Sequence, residues 1–68
     1  MDIVELAKQK VEEIKKALQE GKRVWLGRTQ VQTIEMIPSV TGKSYIVIVN
    51  GNKTLYLSNF IRYEMRIE

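Results

Sequence analysis

The sequence predicts an α+β fold in which an N-terminal amphipathic helix is followed by about five short antiparallel strands. Two observations carry this prediction. Apolar residues recur every three or four positions in the first 20 residues, and they alternate with polar residues in most of the remainder. The connections in the second part are also too short for crossover helices. So few strands are expected to curl into a small SH3-like or Sm-like barrel or half-barrel.

Length and composition favour one domain with a small core. A 68-residue chain with 44% hydrophobic residues is only marginally stable by itself. Cys and His are absent, which excludes disulfides, thiolate and imidazole metal ligands and nucleophilic triads. We therefore expect a single domain over residues 1–68, with the helix at 2–20 and the β-rich part at 22–67. We expect no enzyme activity, no metal and no cofactor.

The chain also lacks the features of an exported or membrane protein. No apolar stretch approaches the length of a membrane span, and Asp2 and Glu5 place acid where a signal peptide carries base. We therefore expect a cytoplasmic protein with no membrane partner. Abundant Ile, Val, Lys and Glu beside scarce Cys, His and Met favour a thermophilic source.

Residues 2–20 predict one amphipathic helix. Asp2 is a suitable N-cap, with Glu5 three positions later, and Gly21 suits the position just past the C-terminus. We expect the apolar stripe of this helix to lie across the sheet and close the core. The alternative is that the stripe is the seam of a homo-oligomer. The residues of that interface would be Val4, Val11, Ile14 and Leu18.

Residues 22–28 predict the first strand, with Gly27 and Arg28 beginning a turn or bulge, and successive side chains of a strand point to opposite faces. Val24 and Leu26 share one face, which we expect to turn toward the helix. Arg23 and Trp25 then share the opposite face. The reversed parity would place Trp25, the largest apolar side chain, in the core, and this alternative stays open.

Residues 30–37 predict the second strand. Val31 is out of step with Ile34, so we expect a bulge near Gln32. Pro38 ends the strand, because proline donates no hydrogen bond to a neighbouring strand.

A β-hairpin over residues 44–57 follows a polar loop that ends at Lys43. Its first arm, Tyr45–Val49, is an unbroken apolar run, which favours a central strand that is buried on both faces. The turn Asn50-Gly51-Asn52 suits either a primed two-residue turn or a three-residue loop. The second arm alternates and places Tyr56 on the outer face.

The last strand is expected over residues 60–67, after a break too short for a crossover, so it must pair antiparallel with a neighbour. Its apolar and charged side chains alternate cleanly. One face carries Ile61, Tyr63, Met65 and Ile67, and the other carries Arg62, Glu64 and Arg66.

The predicted order of one helix and five strands resembles that of the Sm-like RNA-binding proteins. The resemblance covers element order alone. The glycine and aspartate of that family's second and third strands and its Arg-Gly pair before the last strand have no counterpart here, where Asn59-Phe60-Ile61-Arg62 lies near the place of that pair. No functional residue of the family is therefore carried over.

Basic and aromatic residues of the second part form the best candidate for a binding surface. Residues 1–20 carry a net charge of −1 and residues 21–68 carry +4, with all four arginines in the latter. Lys and Arg neutralise phosphates, and flat rings stack on bases. We therefore predict a non-enzymatic protein that binds DNA or RNA through one sheet face. The face consists of Arg23, Trp25, Arg28, Lys53, Tyr56, Arg62 and Arg66.

A protein-interaction or self-assembly module is the alternative function. The core is small, and the run Tyr45–Val49 would promote aggregation if it were exposed. A homo-oligomer would address both points, and a second copy would also double a basic face. An accessory protein of a virus or a plasmid is a further interpretation, which the residues do not separate from this one.

Overall fold

The computed structural model of the chain describes residues 2–42 and 44–68; Lys43, the end of the predicted polar loop, lies outside them. The α+β class is confirmed, with an N-terminal helix followed by antiparallel strands, of which there are six instead of about five. The elements in order are α1 (Ile3–Gln19), β1 (Val24–Leu26), β2 (Thr29–Val31), β3 (Ile34–Pro38), β4 (Tyr45–Val49), β5 (Lys53–Tyr56), α2 (Leu57–Phe60) and β6 (Met65–Ile67).

Helix α1 begins and ends where the sequence predicts, to within one residue. The side chain of Asp2 accepts a hydrogen bond from the backbone N–H of Val4 (3.3 Å), as an N-cap does. At the other end Gly21 has a φ of 78°. The N–H of Lys22 donates to the carbonyl of Ala17 (2.9 Å), which is the long bond of a Schellman motif.

The strands form two antiparallel sheets of three strands each. The first sheet has the order β2-β1-β6, and the second has the order β3-β4-β5. The apolar run Tyr45–Val49 is the central strand of the second sheet, as predicted, but only Val47 and Val49 on one face are fully buried, and Ile46 and Ile48 on the other face are partly buried. Among the described residues no ladder joins β5 to β6, so no closed barrel is formed, and the SH3-like or Sm-like barrel stays a prediction.

The segment before the last strand differs most from the prediction. Leu57–Phe60 is a helical turn, and β6 is confined to Met65–Ile67 instead of starting at residue 60. The physical reason is that Leu57 and Phe60 are three residues apart, so one turn of helix points both at the core, where they are 4% and 0% exposed. This turn carries the chain from the second sheet to the first.

Asn50 connects the two sheets at the break between β2 and β3. Its side-chain Oδ1 accepts hydrogen bonds from the N–H groups of Gln32 (2.6 Å) and Thr33 (3.2 Å), and its Nδ2 donates to the carbonyl of Gln30 (3.0 Å). The predicted second strand over residues 30–37 is thus divided into β2 and β3, with the break at the place where the sequence predicts only a bulge. Asn50 and Gly51 both have positive φ, 56° and 75°, within a three-residue loop, so the hairpin combines features of the two predicted turns.

Helix α1 closes a core that both sheets share. The buried residues of α1 pack in one cluster with those of the strands and of α2. Val11 and Ile14 are 3% and 0% exposed, and Val4 and Leu18 pack against the same cluster. Val11 and Ile14 are thus covered within one chain and Val4 and Leu18 are partly buried, which favours the predicted packing across the sheets, and the oligomer seam stays a prediction. The described helices include none that is long and apolar enough to span a membrane.

Candidate nucleic-acid interface

The outer side of the first sheet is centred on Trp25. Strand pairing places Trp25 directly opposite Gln30 of β2 and Arg66 of β6. Val24 and Leu26, its neighbours in β1, are 0% and 2% exposed, so Trp25 lies on the side away from the core, where it is half-buried. The predicted facing of β1 is therefore the one observed, and the reversed parity is wrong.

Arg23 and Arg28 extend this surface beyond the central row. Arg23 precedes Trp25 by two residues and exchanges two backbone hydrogen bonds with Glu68 (3.3 and 2.8 Å), which continues the pairing of β1 with β6. Arg28 and Arg66 line one depression of about 340 Å³ together with Glu64. We call the surface formed by Arg23, Trp25, Arg28, Gln30 and Arg66 the Trp25 face.

The Arg66 guanidinium lies over the Trp25 ring. Its central carbon is 5.9 Å from the ring centroid, within the range of a cation–π contact. The indole Nε1 is buried and has no hydrogen-bond partner among the described residues. The centre of the face is thus an aromatic ring covered by a cation, with one polar group left unsatisfied.

The arginine side chains are not engaged by acidic groups. Among residues 2–42 and 44–68 the single ion pair joins Lys22 Nζ to Glu20 Oε2 (3.5 Å). None of the four arginines forms an ion pair or a side-chain hydrogen bond within that part of the chain. All four are exposed, so their guanidinium groups are available to an anion.

Three of the seven predicted site residues lie elsewhere. Tyr56 is 68% exposed but faces outward from the second sheet, opposite Ile46. Arg62 follows α2 and lines a separate depression with Asn59 and Tyr63. Lys53 Nζ lies 3.5 Å from Thr29 Oγ1 and 5.5 Å from the centroid of the Tyr63 ring. The single contiguous face predicted from the sequence is therefore not formed.

The separation has a simple cause in the chain path. Strands β5 and β6 follow each other in sequence but belong to different sheets. The helical turn α2 lies between them, so outward residues on the two strands do not share a surface. The structure brings together Arg23, Trp25, Arg28 and Arg66.

Lys10 is a structural residue that the sequence interpretation did not single out. Its Nζ donates hydrogen bonds to the carbonyls of Phe60 (3.4 Å), Ile61 (3.4 Å) and Tyr63 (2.9 Å). Burial lowers the pKa of Lys10, and the charge of Glu13 opposes this shift. The sequence feature that could have indicated this role is the position of Lys10 at the edge of the apolar stripe of α1, beside residues that face the core.

The outer side of the second sheet has a different character. Strand pairing aligns Ile37 with Ile46 and Tyr56 in one row, and Glu35 with Ile48 and Thr54 in the next. The three isoleucines are only partly buried. We call the surface formed by Ile37, Ile46, Ile48, Thr54 and Tyr56 the isoleucine face.

Comparison of the chain with protein-family models, with curated proteins and with solved structures finds no match. The described residues also contain no group of three or more acidic, His or Cys side chains that could hold a metal ion. Interpretation of the function therefore rests on the geometry of the two outer faces.

Proposed function

We propose that the chain is a non-enzymatic nucleic-acid-binding protein that acts through the Trp25 face. The observation that carries this proposal is that three exposed arginines lie on or beside the strands of the sheet that carries Trp25, with the Arg66 guanidinium 5.9 Å from its ring, and none is paired with an acid among the described residues. Free guanidinium groups neutralise phosphates and release counterions, and the ring offers a surface for a base. DNA and RNA both fit this chemistry.

The charges on this side of the molecule support modest binding with little sequence preference. Glu64 lines the same depression as Arg28 and Arg66, and Glu68 pairs with Arg23 through the backbone. These carboxylates reduce the local positive potential. Phosphate contacts position a protein without reading sequence, so affinity is expected to depend strongly on salt.

The double variant Arg28→Gln/Arg66→Gln is expected to weaken nucleic-acid binding about tenfold at ~50 mM salt. It should also reduce the slope of log K against log salt by about 1.4 to 1.8, because two phosphate contacts are lost. Fluorescence anisotropy with a labelled oligonucleotide over a salt series measures both quantities.

The matched control is Arg62→Gln, which removes the same group from a depression away from the Trp25 face. It should change the affinity and the slope little. The single variants Arg28→Gln and Arg66→Gln match this control in charge. Equal weakening by Arg62→Gln and by either of these single variants would show that net charge, and not this face, determines binding. Absence of binding by the unmodified protein to any DNA or RNA at ~50 mM salt would refute the proposed function.

A second candidate function, self-association, is supported by the isoleucine face. The two aligned rows of this face contain one charged residue, Glu35, and no cation, so the face offers little to a phosphate. A second copy presents the same mostly apolar surface, and a symmetric dimer would bury the partly exposed isoleucines of both copies. We take a second copy as the occupant of this face, in place of the seam along α1.

Sedimentation equilibrium at high protein concentration is expected to show a dimer. Ile46→Lys should convert it to a monomer, because the dimer would bury an unpaired charge. Leu6→Lys places the same charge on α1, where Leu6 is 39% exposed, and should leave the dimer intact. A monomeric unmodified protein at every concentration would exclude this function.

We further propose that the two sheets are the halves of an opened SH3-like barrel. The support is the Asn50 side chain, which joins β2 and β3 across a two-residue break, so that the two strands follow each other as one bent strand. Such a bend lets one chain segment take part in both sheets.

A further inference from the structure

Trp25 is the only tryptophan of the chain, and it lies at the centre of the Trp25 face. The side chains on either side of it, Gln30 and Arg66, are exposed and long enough to move. Gln30 offers an amide beside the ring, which can hydrogen-bond the edge of a base. The ring is therefore flanked by groups suited to a base and to a phosphate.

Arg66 covers the ring without being fixed there. Its guanidinium is held by the cation–π contact alone, since it has no ion pair and no hydrogen bond among the described residues. An exposed contact of this kind is weak and competes with stronger pairing to a phosphate. A nucleic-acid backbone that draws the guanidinium away would therefore uncover the indole.

The unsatisfied indole N–H favours a partner that supplies an acceptor. A buried donor without an acceptor destabilises the arrangement in which it is buried. A nucleic-acid oxygen, or a water that accompanies it, would satisfy Trp25 Nε1 on binding and remove this cost.

We infer that Trp25 is a stacking platform for an unpaired base, that Arg66 is its lid, and that the nucleic acid bound is single-stranded. This inference rests on the proposed function. In a duplex both faces of each base are covered by its neighbours, so an indole on a sheet surface has nothing to stack on. In a single strand every base offers a free face to an aromatic side chain.

The test compares a labelled single strand of about 12 nucleotides with the duplex of the same sequence. The single strand is expected to bind the unmodified protein more tightly and to quench its Trp25 fluorescence. Trp25→Leu should weaken single-strand binding about tenfold or more and weaken duplex binding by a much smaller factor. Trp25→Phe, which keeps a ring, should retain most of the single-strand affinity. Circular dichroism of each variant confirms that it is folded.

A separate measurement examines the lid in the free protein. Arg66→Gln is expected to increase the quenching of Trp25 by acrylamide, because the ring loses its cover. Arg62→Gln, away from the face, should leave this quenching unchanged. Unchanged quenching in Arg66→Gln would overturn the role of Arg66 as a lid.

The outcomes separate this inference from the proposed function. Duplex binding as tight as single-strand binding, with no effect of Trp25→Leu on either, overturns the stacking platform and leaves a phosphate-binding protein. Absence of binding to both forms at ~50 mM salt overturns the proposed function and the platform together.

Discussion

Phe60→Ala is expected to lower the free energy of unfolding by about 3–5 kcal/mol, which is enough to unfold a domain of this size. Phe60 is 0% exposed and is the largest of the fully buried side chains in the described part of the chain. Its ring also lies 5.5 Å from Lys10 Nζ. Urea denaturation followed by circular dichroism measures the change.

Tyr56→Ala is the matched control for this substitution. It removes an aromatic ring four residues earlier, from a side chain that is 68% exposed. In the monomer, at a concentration too low for the proposed self-association, we expect a change of about 0.5 kcal/mol or less, because exposed side chains contribute little to stability. A cost of Phe60→Ala as small as that of Tyr56→Ala would contradict the placement of α2 over the core.

Asn50→Ala is expected to cost about 2–3 kcal/mol. The substitution removes three side-chain hydrogen bonds, which hold Gln30, Gln32 and Thr33 at the break between β2 and β3. It also replaces asparagine, which tolerates the left-handed φ of 56° at this position, by alanine, which adopts that conformation less readily. Thermal and chemical denaturation measure the total cost.

Two further variants divide this cost into its parts. Asn50→Gly relieves the backbone conformation but loses every side-chain bond, and Asn50→Asp keeps the two acceptor bonds while losing the donor to Gln30. Stability should fall in the order wild type, Asn50→Asp, Asn50→Gly and Asn50→Ala. Hydrogen exchange of the Gln32 and Thr33 amides should accelerate in Asn50→Gly. Unchanged exchange at both amides would show that the side chain does not hold the break.

The elements with strong local signals were predictable. The N-cap Asp2, the stripe of α1 and Gly21 each depend on residues that are near one another in sequence. The Asn-Gly turn and the alternation around Trp25 are local in the same way. Each of these features is decided by sterics and hydrogen bonds within a few residues, so the sequence contains enough information to place it.

The path after β5 was not predictable in the same way. The alternation from Ile61 to Ile67 favours a strand from residue 60 after a short break, whereas the three-residue spacing of Leu57 and Phe60 favours a helical turn. Both patterns are present, and the need to bury Phe60 against α1 selects the turn. That need is a property of the packed molecule, which local alternation does not contain.

The candidate site was predicted in part for the same reason. Arg23 and Trp25 share a strand, so alternation alone places them on one side. Arg66 joins them through the pairing of β6 with β1, which agrees with the predicted outward face of the last strand. Tyr56 was assigned to the same face because the prediction assumed one continuous sheet, and the division into two sheets separates it.

The three carbonyl contacts of Lys10 have a consequence for how the protein is made. The amine of Lys10 is separated in sequence from its acceptors Phe60, Ile61 and Tyr63 by 50, 51 and 53 residues. Helix α1 is synthesised before residues 60–63, and Lys10 cannot make all three contacts until residue 63 has emerged from the ribosome. The packing of α1 therefore depends on contacts that are distant in sequence. Until the later residues are present, the apolar stripe of the helix is not covered by them.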